Sequence, residues 1–289
     1  MKSLQELADS GILFKSAENE LIKQNLYNII KDAAINHPVG RQVVDVVNMK
    51  FGSTLDFDLA DKNSMDVREI AEGAVYPLDA ESYTKKSVTP KKYGIRIAVT
   101  NEMVEDANWD LIQRNLREAG RRMGLKEDDL IFTALEDSTN GFASATTEGT
   151  SHAITSGGTE IAMADLTEAQ KVIDQENYVP NTLILNPAQV KELRDLDTLT
   201  EADKIGDRRM YERGWVGKIY GMDTIITNTV SASTAVVLDK YEGGGLVIRR
   251  PLTVEKWKEP IRDLTEAVVS SRMAAICFRP EAGAVITVS

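Results

Sequence analysis

Between residues 108 and 137, apolar side chains recur at Ile112, Leu116, Ala119, Met123, Leu130 and Ala134. Most of these steps are three or four, the spacing of one face of an α-helix. Asn108 suits the N-cap, and Asp110 places negative charge in the first turn, where the helix dipole favours it. Arg114, Arg117, Arg121 and Arg122 alternate with Glu118, Glu127 and Asp128 on the remaining surface. An unbroken helix of this extent runs roughly 45 Å at about 1.5 Å per residue. One apolar stripe of that length requires a sheet or a neighbour along all of it. Gly120 and Gly124 each cost about 1 kcal/mol relative to Ala in a helix interior. Lying four apart, they share a face where another backbone can come close.

The segments before this helix have different periods. Ser16 is placed to cap an amphipathic helix carrying Leu21, Ile22, Leu26, Ile29, Ile30 and Ala33. Nothing N-terminal to it can form a core, so residues 1–38 read as an arm that packs on the body or on a neighbouring subunit. His37-Pro38 ends it, because the residue before proline is pushed out of the helical region. From residue 42 the period becomes two. Val43, Val44, Val46 and Val47 open a strand, and Leu55-Asp56-Phe57-Asp58-Leu59 alternates strictly, apolar on one face and acidic on the other. Residues 61–74 are polar and turn-like, Tyr83–Thr89 returns, and Tyr93, Ile95, Ile97 and Val99 alternate again. The segment reads as an antiparallel excursion, out and back. A two-stranded ribbon is marginal in water, and its open edges seek a partner. Leu55, Phe57 and Leu59 are therefore candidate subunit contacts.

After the long helix, residues 138–158 read as a loop or weak hairpin. Asp165-Leu166-Thr167-Glu168 has a capping-box pattern and opens a helix with Leu166, Ala169, Val172 and Ile173 inward. Thr182–Leu185 is a short apolar strand, and Asn186-Pro187 starts a helix with Val190, Leu193 and Leu196 as its stripe. A charged irregular stretch contains Arg208, Arg209, Tyr211 and Trp215, residue types favoured at contacts. Strands follow at 219–227, 235–238, 246–248, 252–257, 266–278 and 284–288. The fold class is α+β.

Composition narrows the function more than it names it. Of 289 residues, 42% are hydrophobic, enough for a packed core. A net charge of −11 argues against coating nucleic acid by phosphate neutralisation, though not against enclosing it. The one cysteine, Cys277, permits no intramolecular disulfide and reads as a buried inert thiol. The N-terminus lacks the apolar core of a signal peptide, and no apolar run approaches the ~20 residues of a membrane span. His37 and His152 have no motif around them and read as solvated loop residues; with one Cys and two scattered His no zinc spacing exists, and a Ser-His-Asp triad would need one of these histidines while no Gly-x-Ser-x-Gly elbow is present. The glycine runs at 157–158 and 243–245 meet neither phosphate-loop fingerprint. The acidic pairs Asp56/Asp58 and Glu127/Asp128 are read as solvated faces before Mg²⁺ or acid–base sites. The expectation is no catalytic residue, no metal and no cofactor.

The order of elements resembles the major capsid proteins of tailed phages, the Hong Kong-phage fold shared with encapsulin shells and the herpesvirus capsid floor. The closest local matches are Thr100–Asp106 leading into the long helix (the family's spine helix), Thr182–Pro187, and Gly217–Met222. The resemblance implies an N-terminal arm at 1–38, an extended β loop at 39–99, a peripheral domain at 100–150 and 250–289, and an axial domain at 151–249. It also implies a non-enzymatic head-shell protein of the virion, assembled in the host cytoplasm as hexamers and pentamers of itself. Scaffolding, portal and possible decoration proteins would be its partners, and it would enclose double-stranded DNA without sequence-specific binding. Arg208, Arg209, Tyr211 and Trp215 would then lie near capsomer contacts. Two rivals stand: an encapsulin-type compartment, and a soluble α+β enzyme acting through Asp56 or Glu127.

Overall fold

The computed structural model describes residues 39–60, 67–73, 75, 76, 78, 80–100, 109–158, 160–195, 218–259 and 264–288. The arm, Asn108, Arg208, Arg209, Tyr211 and Trp215 lie outside them. Strands β1 (Asp45–Asn48), β2 (Leu55–Ala60), β3 (Tyr83–Val88) and β4 (Lys91–Thr100) precede the long helix α1 (Trp109–Glu136). A small hairpin, β5 (Thr146–Thr147) and β6 (Thr150–Ser151), leads to β7 (Ala153–Thr155), α2 (Met163–Gln175), β8 (Thr182–Leu185) and α3 (Pro187–Asp195). Then come β9 (Lys218–Ile219), β10 (Met222–Ile226), β11 (Thr234–Leu238), β12 (Gly244–Glu259), β13 (Leu264–Cys277) and β14 (Gly283–Thr287).

Two sheets organise these elements. One has the order β1-β12-β13-β4, the other β7-β14-β11-β8-β10-β9. The predicted ribbon is therefore divided. Only β2 and β3 form a two-stranded hairpin, in register from Leu55↔Val88 to Ala60↔Tyr83. β1 runs parallel to β12, and β4 runs antiparallel to β13. The period-two pattern marks strands on both sides of the excursion alike. It carries no information about which partner each strand takes.

Helix α1 covers one face of the first sheet. Leu116 and Met123 pack with Val269 against Tyr93, Ile95, Ile97, Leu252 and Val254. Gly120 and Gly124 are both buried on this face, as their spacing predicts. Past Met123 the buried direction rotates. Leu130 and Ala134 are only half-buried, whereas Ile131, Phe132 and Leu135 are the core residues. The C-terminal half of α1 packs on the other end of the first sheet, at Leu246, Ile248, Met273 and Cys277, and joins Val43 and Val44 in a second core.

That second core joins the two sheets. In the six-stranded sheet, Leu183, Leu185, Ala235, Val237, Ala284 and Ile286 face α2 and α3. The alternate residues Ile184, Val236, Leu238 and Val285 face the C-terminal half of α1. Strand alternation thus gives β8, β11 and β14 two apolar faces, and β8 is buried throughout. Helix α2 begins one turn earlier than expected. Ala162 is its N-cap, and Asp165 is the third helical residue, whose carboxylate accepts the Ala162 N–H at 2.9 Å. The β5–β6 and β9–β10 hairpins turn through Glu148-Gly149 and Tyr220-Gly221, all four at positive φ, as a type I′ turn requires.

Glu136, in the last turn of α1, has a buried carboxylate oxygen with no hydrogen-bond partner. Burial pushes its pKa up to about 7. A carboxyl raised in the folded state stabilises the fold below its unfolded value near 4.5, and this contribution is lost as pH rises towards 7. The full shift is worth about 3 kcal/mol. Because the side chain keeps part of its solvent contact, about 1–2 kcal/mol is expected. Glu136→Gln should therefore be more stable than wild type at pH 8 by that amount, with the gap closing below pH 5. Chemical denaturation at the two pH values tests it, and equal midpoints at pH 8 would refute it.

Candidate functional site

Among the described residues, no group of three or more His, Cys, Asp or Glu is placed to hold a metal ion. His152 is not solvated as expected but wholly buried. Its Nδ1 lies 2.7 Å from the Gly283 carbonyl and its Nε2 lies 2.8 Å from Thr147 Oγ1. A carbonyl only accepts, so Nδ1 carries the proton, and in the neutral ring Nε2 accepts from the threonine hydroxyl. The ring pins the β5–β6 hairpin to β14. Cys277 is buried, donates to the Gly243 carbonyl at 3.3 Å, and burial pushes its pKa up to about 12. Asp56 pairs with Lys85 at 2.8 Å and accepts from Ser87, both of which lower its pKa. No described helix is long and apolar enough to cross a membrane.

The other acidic pair departs from its solvated-face reading. Glu127 and Asp128 are both buried. The Asp128 carboxylate accepts the N–H groups of Val39 and Gly40 at 3.0 and 2.8 Å. Arg41 pairs with Glu127 through two nitrogens, one of them at 2.9 Å. Burial raises the Asp128 pKa, against the two backbone hydrogen bonds that lower it. Gly40 is required here: a Cβ would lie 2.6 Å from Ile131 Cδ1 and 2.8 Å from Asp128 Oδ1. This latch fastens the start of the body to the middle of α1, at the point where residues 1–38 join it. The signal for it was the late rotation of the apolar pattern to Ile131, Phe132 and Leu135, which turns positions 127 and 128 inward.

The β2–β3 hairpin stands on the face of the first sheet away from α1. Its foot packs there: Leu55, Phe57 and Val88 meet Met49, Val247, Ala274 and Ile276. The Phe57 ring lies edge-on to Phe278 with centroids 4.8 Å apart. Leu59 lines a cleft of ≈ 430 Å³ with Lys86, Tyr178, Phe278, Arg279 and Glu281. The three apolar residues singled out as subunit contacts thus all face their own chain, each half-buried. Beyond the foot, most of the described residues of the excursion are exposed. Val67 is 100% exposed, Leu78 98% and Val75 92%, with Tyr76 and Tyr83 also exposed. Burying a residue of this kind is worth about 1.5–3 kcal/mol, and contiguous exposed apolar residues mark an interaction surface.

A family described as phage capsid protein matches residues 83–286. No curated protein matches the chain. Solved structures share the fold at low identity. The capsid of cyanophage P-SCSP1u is 16% identical with a TM-score of 0.68, over 87% of this chain and 88% of that one. A solved structure from Microbacterium phage Oxtober96 is 18% identical with a TM-score of 0.66, over 86% of this chain and 90% of that one. The virus-like particle from Pyrococcus furiosus is 14% identical with a TM-score of 0.61, over 91% and 98%.

Proposed function

The chain belongs to the phage capsid protein family, and from that premise we propose that copies of it close into an icosahedral head shell around double-stranded DNA. It is a structural major capsid protein with the tailed-phage capsid fold, and its place is the virion capsid. Hexamers and pentamers are the building units of the proposed shell, assembled in the host cytoplasm with scaffolding, portal and possible decoration proteins, and without catalysis by the coat. Heterologous contacts that close by symmetry give rings and shells from modest individual interfaces. The four-stranded sheet with α1 serves as the peripheral domain, and the six-stranded sheet with α2 and α3 as the axial domain. The β2–β3 hairpin is the extended loop that reaches a neighbour. Arg208, Arg209, Tyr211 and Trp215 are retained as candidate capsomer contacts.

The observation that carries this reading is the exposed tip of the hairpin. Val67, Val75, Tyr76 and Leu78 have no partner core within the described residues of the chain, yet they sit on a hairpin whose foot is anchored. The enzyme reading finds no support in Asp56 and Glu127, which pair with Lys85 and Arg41. Deleting residues 61–74 should leave a folded monomer with native helix content that forms no closed shells. Sedimentation and negative-stain microscopy read the outcome, and shells of normal size from the deletion would sink the hairpin assignment.

A further inference from the structure

The net charge of −11 conceals how charge is sorted by face. The excursion, residues 55–82, holds eight carboxylates and two cations, a net of −6. The stretch carrying α2, β8 and α3, residues 160–195, holds seven carboxylates and three cations, a net of −4. Residues 114–126 of α1 have the opposite sign: Arg114, Arg117, Arg121, Arg122 and Lys126 stand against Glu118 alone, a net of +4. Arg121 is half-buried and the other four cations are exposed. Arg114, Arg117 and Arg121 lie at i, i+3 and i+7. At roughly 100° per residue they share a stripe about 60° wide, turned away from the buried Leu116 and Met123.

Local structure does not account for these arginines. The helix dipole favours cations in the last turn, yet α1 has no basic residue there. Glu118 is shared between two of them. Arg121 donates to it through two nitrogens at 2.9 and 2.8 Å, and Arg122 donates at 2.7 Å. The hydrogen bonds from Arg121 and Arg122 hold the Glu118 carboxyl down to about 2. One carboxylate offsets one of two guanidiniums. Lys126 has its own partner, Asp129, at 2.5 Å. A surplus of exposed positive charge therefore stands on the outward face of α1, and a surface of one sign concentrates ligands of the other.

Position selects the anion. The first sheet has two faces: α1 covers one, and the hairpin foot stands on the other. A separate cationic row lies on the hairpin side, where Arg250, Arg272 and Lys92 are in register across β12, β13 and β4. In the shell reading the hairpin reaches a neighbour, so contacts between copies gather on that side. Helix α1 looks the opposite way, towards one surface of the shell wall. We propose that this surface is the inner one, and that the arginine face of α1 contacts the phosphate backbone of the enclosed double-stranded DNA. Guanidiniums suit the task, because they bind phosphate oxygens bidentately without reading bases. A few such contacts per copy give weak, sequence-independent, salt-sensitive binding. The inference rests on the shell reading and names the face that meets the DNA.

Fluorescence anisotropy of a labelled short DNA duplex, titrated with the unassembled chain, tests it. Arg114→Gln/Arg117→Gln should lower affinity at 50 mM salt at least tenfold. It should also reduce the slope of log K against log salt by about 2, near one unit per lost phosphate contact. Lys50→Gln/Lys92→Gln removes the same charge from the hairpin side and should leave affinity within about twofold. Both pairs should keep wild-type circular dichroism and shell yield. No binding by the wild-type chain at 50 mM salt, or equal loss from the two pairs, overturns the proposal. Loss of shells in the arginine pair also overturns it, and would make this face a contact between proteins. Should that pair misfold, Arg114→Gln alone, at an exposed position, carries the same test with a slope change of about 1. In assembled shells, Arg114→Cys should resist a polymer-linked maleimide until the shell is opened, Cys277 being buried. Labelling of intact shells overturns the inner placement. Each of these failures leaves the shell reading standing, because that reading is judged by wild-type assembly and by the 61–74 deletion.

Discussion

Phe142→Ala is expected to cost about 3–5 kcal/mol, the range for truncating a fully buried aromatic side chain. The ring has no solvent exposure and belongs to the core that joins the two sheets. Two bare backbones close on it. A Cβ at Gly243 would lie 2.6 Å from Phe142 Cζ, and one at Gly283 would lie 2.6 Å from both Cδ2 and Cε2. Gly243 immediately precedes β12 and Gly283 opens β14, so the ring is held between strands of different sheets. Such a site collapses poorly when emptied, because rigid strands cannot move in to fill it, and the cavity penalty adds to the lost transfer energy. The unfolding midpoint should fall by roughly 10 °C, taking about 2–4 °C per kcal/mol for a chain of this size. Gly283→Ala should lose about 1–3 kcal/mol by overpacking the same contact. Denaturation of the unassembled protein reads both changes. A loss below about 1 kcal/mol for Phe142→Ala would mean that the two sheets are not joined through this ring.

Which parts of this architecture were legible follows from how far each determinant acts along the chain. The i, i+3, i+4 pattern on α1 is local, and the helix ends within one residue of the expected point. The buried Gly120/Gly124 pair and the alternation of Leu55–Leu59 are local in the same way. Strand partners are not local. Nothing in Tyr93, Ile95 and Ile97 distinguishes pairing with β3 from pairing with β13, which lies about 170 residues away in sequence. The same limit applies to burial of polar groups. His152, Glu127 and Asp128 read as solvated because their partners are Gly283, Arg41 and the backbone of Val39 and Gly40. The cationic row was equally hidden. Arg250, Arg272 and Lys92 are dispersed in sequence and become neighbours only through strand register. The resemblance to capsid proteins succeeded for the complementary reason, since it rests on the order of elements and needs no pairings.

Asp128→Ala is expected to release the start of the body from α1. The carboxylate is almost wholly buried and is the acceptor for two backbone N–H groups. Removing it strands both donors, and a buried donor without a partner costs about 1–3 kcal/mol. A total loss of about 3–4 kcal/mol is expected after partial hydration of the new gap. Asp128→Asn retains one acceptor oxygen but turns an NH₂ towards the second donor, so about half that loss should follow. The neighbouring pair does not compensate. Arg41 is half exposed, and ion pairs open to solvent are worth at most about 1 kcal/mol. What distinguishes the latch from general core support is where the effect appears. The turn Gly40–Gln42 leads directly into Val43 and Val44, whose side chains fill the core between the sheets, and then into β1. Hydrogen exchange should therefore rise by at least tenfold at residues 40–48 in Asp128→Ala, while β8 and β11 stay protected in proportion to global stability. Uniform acceleration across β1, β8 and β11 would make Asp128 an ordinary core residue and remove the latch. Localised acceleration with unchanged β8 would establish that the body tolerates opening at the point where residues 1–38 join it. The first strand would then be a separable element, held to α1 by one buried carboxylate.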